Sequence, residues 1–163
     1  MSPTSLRTAP ATFGLIALLS FAAVGVALYS QHVRDMQPCP WCVLQRLVFV
    51  AIGAWSLFGL LQRRAFGQRL VGIGVSALAS AGIAAALWQH FVAAASASCN
   101  LTFADRFMSA TGLDSLLPQV FAAYASCADA KVNLFGVPYE FYSLVLFTLI
   151  DTIAVLGIIA RKR

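Results

Sequence analysis

The chain has 163 residues, 60% of them hydrophobic and 10% charged, with a formal net charge of +5. A composition this apolar excludes an ordinary soluble domain of the same size and requires lipid as solvent. No basic patch interleaves with exposed aromatic residues, so the positive balance is read as membrane topology and a nucleic-acid partner is excluded.

Four apolar runs, 11–29, 43–61, 70–92 and 139–160, reach the roughly 20 residues that a hydrocarbon core demands of a helix. They predict a single all-α domain over 1–163, an antiparallel four-helix transmembrane bundle with outer loops at about 30–42 and 93–138. The first run follows Arg7 and contains the small residues Ala22 and Ala23, as a cleaved signal peptide would. A retained span is the expectation, because three spans would put the chain ends on opposite faces without explaining the charges. Arg7, Arg63, Arg64, Arg69, Arg161, Lys162 and Arg163 fall on one face, against Arg34, Arg106 and Lys131 on the other. That asymmetry predicts both termini in the cytoplasm.

The first outer loop runs into "PCPWCVLQR", residues 38–46. A bridge between Cys39 and Cys42 would close almost no loop, so chain restriction is a poor reason for the pair. Zinc requires four ligands, and no matching CxxC or histidine doublet accompanies this one. Redox exchange remains, with one sulfur forming a mixed disulfide and its neighbour resolving it. Pro40 suits the first turn of a helix, which places the pair at the positive end of a helix dipole. Arg46 follows Cys42 by one turn, just inside the membrane boundary, where a cation needs an anionic or polar partner. A snorkelling role is its plain alternative. A disulfide at the membrane edge must pass electrons onward, and a quinone, whose reduction places charge on a ring oxygen near a guanidinium, is the expected sink.

All four cysteines, with Cys99 and Cys127 in the second outer loop, belong to the non-cytoplasmic side, where disulfides persist. Four cysteines allow three connectivities. Taken alone, a Cys99–Cys127 bridge reads as structural, contributing roughly 3 to 4 kcal/mol. Leu113, Leu116, Leu117, Val120, Phe121 and Tyr124 follow a helical repeat, with Asp114 and Ser115 near its start. They predict a short amphipathic helix, kinked at Pro118 and able to lie on the membrane surface. His32 and His90 flank the outer boundary and are candidates for proton transfer. Asp151, well inside the fourth run, calls for a neutral hydrogen-bonded packing role, with Ser76, Ser80 or backbone as partner. Gly72, Gly74, Ser76, Ala79 and Gly82 give the third run a surface for close helix packing.

"PCPWCVLQR", with its arginine four residues after the second cysteine, and a long second loop from "SASCN" through "LLPQVFAAYASCADA" to "LFGVP" resemble the DsbB family of inner-membrane disulfide-generating proteins. The resemblance covers nearly the whole chain. It implies a multi-pass protein of the bacterial inner membrane with periplasmic cysteine loops, and an oxidoreductase that reoxidises a periplasmic DsbA-like thioredoxin-fold protein. Relays of this kind are the known means by which the bacterial periplasm is kept oxidising. Carried over by position, Cys99 is attacked by the partner, Cys127 exchanges with Cys39, and Cys42 contacts a quinone, ubiquinone or menaquinone, with Arg46 at the same site. His90 matches a histidine that some members have near the quinone, although the segment from His90 to Cys99 is shortened. The inner dipeptide Pro40-Trp41 departs from the aliphatic residues common in the family and is expected to alter the couple's potential.

Two other classes give different expectations. A non-enzymatic scaffold or channel with structural bridges would have chemically inert sulfurs. A vitamin K epoxide reductase-like enzyme shares the chemistry but usually places its CxxC near the start of the last span of the bundle; here it opens the second.

Overall fold

The structure is a computed structural model and describes residues 3–94, 102–129, 133–134 and 136–160, with side chains from residue 10 onward. Four helices are long and apolar enough to cross a membrane: α1 (Pro3–Val33, apolar from Pro10), α2 (Pro40–Leu61), α3 (Ala65–Trp88), extended by a π-helical turn over Gln89–Ala93, and a last helix, Tyr139–Ala160. The chain is therefore a four-helix membrane bundle, as its composition demands.

Helix ends differ from the apolar runs in a consistent way. The first helix continues past Tyr29 to Val33 because Ser30, Gln31 and His32 are polar enough to leave lipid yet still complete backbone hydrogen bonds. The second begins at Pro40, three residues before the apolar run, because Cys39 is its N-cap and Pro40 needs no N–H in the first turn. The third begins at Ala65 rather than at residue 70.

Between α3 and the last span lie α4 (Phe103–Thr111), α5 (Leu113–Leu116) and α6 (Pro118–Phe121), then a two-residue hairpin of β1 (Asn133–Leu134) and β2 (Val137–Pro138) leading into α7 (Tyr139–Ala160). The single kinked helix expected over Leu113 to Tyr124 is instead two one-turn pieces. Leu117 leaves helical geometry (φ −133°, ψ 65°) ahead of Pro118, as a residue preceding proline tends to do. Helix α4 was not expected. It starts at a reciprocal cap, in which Thr102 Oγ1 accepts from Asp105 N–H and Asp105 Oδ2 accepts from Thr102 N–H at 2.8 Å, and it ends at Gly112 with φ +68°.

The membrane core is made by side chains that meet small residues. Phe49 and Phe147 stack at 3.9 Å and 5° between α2 and α7, with Ile52, Val75 and Ile150 fully buried around them. The small residues of α3 are where α7 comes close: an added Cβ at Gly82 would lie 2.5 Å from the Phe147 ring, and one at Gly72 would lie 2.8 Å from Ile158. Ser76 donates to Asp151 Oδ1, which gives the intramembrane carboxylate the hydrogen-bonded packing role expected of it. Phe13 and Ile16 of α1 are buried in the same core.

Gly82→Val forces the Phe147 ring out of its stack and should destabilise the bundle by about 1–3 kcal/mol. Gly14→Ala, where no atom lies within 4 Å of the new methyl, should change stability by less than about 0.5 kcal/mol. Thermal unfolding of both variants in the same detergent, followed by circular dichroism, checks this contrast.

Candidate functional site

The site is assembled at the end of the bundle opposite the start of α1 and the end of α7. Cys39 has extended backbone (φ −86°, ψ 166°), and its sulfur accepts from the Cys42 amide at 3.3 Å, closing the first turn of α2. The turn places the two sulfurs 2.8 Å apart. Cys39 is wholly buried and Cys42 half-buried.

Cys127 is 88 positions along the chain from Cys39, and backbone bonds deliver it. The carbonyl of Pro38, next to Cys39, accepts from Tyr124 N–H at 3.0 Å and from Ala125 N–H at 3.3 Å. The strand-like segment after α6 is thereby pinned across the start of α2. Cys127 then hydrogen-bonds to Cys39 through its side chain and to the backbone of Trp41. Trp41, Ala104, Met108 and Phe121 bury the junction. All three described cysteines are thiols in this structure. Cys99 lies outside the described residues.

The sulfurs outside the spans differ in acidity. The Cys39 hydrogen bond, assisted by the Trp41 backbone, holds Cys127 below the ordinary thiol range, against the effect of its burial. Hydrogen bonds to Cys127 and Cys42, together with burial, push Cys39 well above it. Of the two thiols, Cys127 is thus the more acidic and the readier nucleophile.

On its other side Cys42 accepts from Gln89 Nε2 at 3.3 Å, and Gln45 Nε2 donates to Gln89 Oε1 at 2.7 Å, so one buried amide aims the other at the sulfur. Gln89 opens the π-helical turn that ends α3, a feature that re-aims side chains and is frequent at functional sites. One turn on, buried Arg46 donates from Nη1 to Gln31 Oε1 at 2.9 Å and to the Val120 carbonyl, while its Nε–H has no hydrogen-bond partner. No carboxylate pairs with it among the described residues.

Cys42 and Arg46 line a cavity of about 330 Å³ whose walls are otherwise mostly apolar, including Leu19, Ala23, Phe49 and Leu146. Gln45, Gln89 and Glu140 add its polar edges. His90 is not on the wall; its Nδ1 bonds Glu140 Oε1 at 2.8 Å, and its ring sits edge-on to Phe91 and Phe141. His32 is exposed and meets only the Gln119 carbonyl, at 3.2 Å. The structure therefore gathers Cys39, Cys42, Cys127 and Arg46 and places His90 one residue behind the cavity. Gln31, Gln45, Gln89 and Glu140 are additions that the sequence did not single out. Their only prior signal was polarity at the edges of apolar runs.

Among known proteins, a family model described as disulfide bond formation protein DsbB matches residues 9–157. The disulfide bond formation protein B of Cupriavidus necator is 39% identical over 156 residues, covering 94% of each chain. That of Cupriavidus metallidurans is 33% identical over 154 residues, 93% of each chain. The protein of the same name from Aromatoleum aromaticum is 31% identical over 167 residues, 100% of this chain and 99% of the relative.

Because the Cys39 hydrogen bond is the largest influence lowering the Cys127 pKa, Cys39→Ala should raise the pH at which Cys127 becomes reactive. Alkylation of the reduced protein across pH, with Cys127 quantified by peptide mass spectrometry, should show the midpoint moving upward. A midpoint that stays in place or falls would contradict the assignment.

Proposed function

This chain belongs to the DsbB family of disulfide bond formation membrane proteins, and on that premise we propose that it is a protein dithiol:quinone oxidoreductase of the bacterial inner membrane. In this reading both termini are cytoplasmic and the cysteine end is periplasmic. The thiol partner is a DsbA-like thioredoxin-fold protein. The observation that carries the proposal is the placement of Cys39 between Cys127 and Cys42, with Cys42 on the wall of an apolar cavity that Arg46 also lines.

The resting oxidised protein holds disulfides Cys99–Cys127 and Cys39–Cys42. A thiolate of the partner attacks Cys99, forming a mixed disulfide and releasing Cys127 as a thiolate beside the Trp41 backbone. Cys127 then attacks Cys39: the Cys127–Cys39 bond forms, the Cys39–Cys42 bond breaks, and the electron pair stays on Cys42. The partner's second thiol resolves the mixed disulfide, so the partner leaves oxidised. Cys99 next attacks Cys127, restoring the outer bridge and leaving Cys39 and Cys42 reduced. Re-forming the Cys39–Cys42 bond gives up two electrons.

Quinone supplies the two-electron acceptor when bound. The residues present fit it: apolar walls suit a ring with an isoprenoid tail, and the buried, unpartnered Nε–H of Arg46 is a donor awaiting an oxygen. Cys42 and Arg46 would hold the ring end, with the Gln89 amide keeping the Cys42 sulfur in place. His90 would act from behind Glu140.

Purified Cys42→Ser and Cys39→Ser proteins should fold but give no quinone absorbance change when mixed with a reduced thioredoxin-fold partner; wild-type turnover by either would reject the proposal. Arg46→Gln removes a charge-assisted hydrogen bond of about 1.5–3 kcal/mol and should raise KM for quinone roughly 10- to 100-fold. The same variant also loses the bonds to Gln31 and Val120, and should slow thiol exchange with the partner far less than quinone reduction. That split between two half-reactions is read by quinone kinetics beside gel analysis of the mixed disulfide.

A further inference from the structure

Reduction of a quinone consumes two protons in a cavity whose walls are largely apolar, so the route by which protons arrive is a separate question from the route of the electrons. Two side chains off the sulfur path are arranged to answer it. Glu140, at the first turn of α7, is 9% exposed and lines the cavity, while His90, in the π-helical turn, is 32% exposed and off the cavity wall. Their side chains meet at 2.8 Å. One partner is thus exposed on the outside of the bundle near its outer end and the other reaches the cavity. The His90 ring is held in that orientation by edge contacts to Phe91 at 4.9 Å and Phe141 at 4.7 Å. A carboxyl group that closes one wall of an apolar cavity and is bonded to an imidazole at its outer edge has the form of a proton relay.

We propose that Glu140 is a catalytic residue that delivers a proton to a quinone oxygen and is refilled from the outer solvent through His90. The inference rests on the quinone-reducing reading above. In the step, two electrons leave the Cys39/Cys42 dithiol as its S–S bond forms. The protons lost by the two thiols pass to solvent, and two protons enter the quinol, at least one through the Glu140 carboxyl, which then recovers a proton from His90. The sum is dithiol plus quinone giving disulfide plus quinol. The titratable or charged groups on the cavity walls besides Glu140 are Cys42 and Arg46 from α2 and Tyr139 and Tyr142 from α7; α1 contributes none.

The test isolates the second half-reaction. The full-length protein in detergent is reduced with dithiothreitol, freed of reductant, and mixed anaerobically with decyl-ubiquinone from pH 5 to 9. Glu140→Gln keeps the shape and should slow quinol formation about 100-fold, within the range of general acid catalysis. His90→Gln retains a donor to Glu140 but cannot carry a proton; it should slow the reaction, and added imidazole should restore part of the rate. Thiol exchange of each variant with a reduced thioredoxin-fold partner should match wild type, which shows that the fold survives. Wild-type rates for Glu140→Gln at every pH would overturn the relay, and an unaffected His90→Gln would overturn its outer half. A wild-type protein that reduces no quinone would instead overturn the reading on which the relay rests.

Discussion

A guanidinium inside a membrane boundary has to find acceptors, and at Arg46 that requirement organises the outer end of the bundle. Its Nη1 takes Gln31 Oε1 from the end of α1 and the Val120 carbonyl from α6, and Gln31 in turn donates to the Gln119 carbonyl at 3.3 Å. Two spans and the long outer loop are therefore joined at one buried cation. Arginine at the centre of a span costs about 2.5–3.5 kcal/mol on insertion scales. Neutral acceptors offset part of that cost without cancelling the charge, so Arg46 keeps its positive field for whatever occupies the cavity beside it. A carboxylate partner would have stabilised the cation more and quenched that field.

The same knot determines where the loop runs next. With α6 fixed by Val120 and Gln119, the chain leaves Phe121 close to the start of α2, and the Pro38 carbonyl captures Tyr124 and Ala125. Cys127 arrives at Cys39 as a consequence of backbone hydrogen bonding, and the acidity difference between the two sulfurs follows from which of them sits in the middle. Cys39 is flanked by two sulfurs and fully buried; Cys127 has one sulfur neighbour and a backbone amide. Geometry and acidity thus arise from a single arrangement.

The spans were legible because hydropathy over about 20 residues is a long-range average that no single contact can overturn. Their ends were less so, because hydropathy reports where lipid stops, whereas Ser30–Val33 and Pro40–Cys42 continue or begin a helix through caps and backbone bonds. Helix α4 was hidden by its low overall hydrophobicity, although Thr102 and Asp105 three residues apart and Gly112 carried the signal of a capped helix. At the site, the sulfurs and Arg46 announce themselves by chemistry. Gln31, Gln45, Gln89 and Glu140 do not, since a neutral amide or a boundary carboxylate has meaning only after α1, α2, α3 and α7 are packed. Gln45 stood within the motif that identified the site, but its partner is 44 positions away on another span.

The cavity has one wall bearing sulfur and another bearing a carboxyl group, supplied by helices from opposite parts of the chain. Cys42 and Arg46 come from α2, whereas Glu140 comes from the first turn of α7, which the Phe49–Phe147 stack holds against α2 deeper in the membrane. Cys42, Arg46 and Glu140 are therefore tied to one another through the bundle core, whereas Cys127 is carried by the loop. The sulfur-bearing and carboxyl-bearing walls of the cavity are set by spans, and no residue of α4, α5 or α6 is among those walls. A loop that carries one sulfur and spans that carry the cavity are thus supported by separate sets of contacts, which is how a bundle this small holds both at one end.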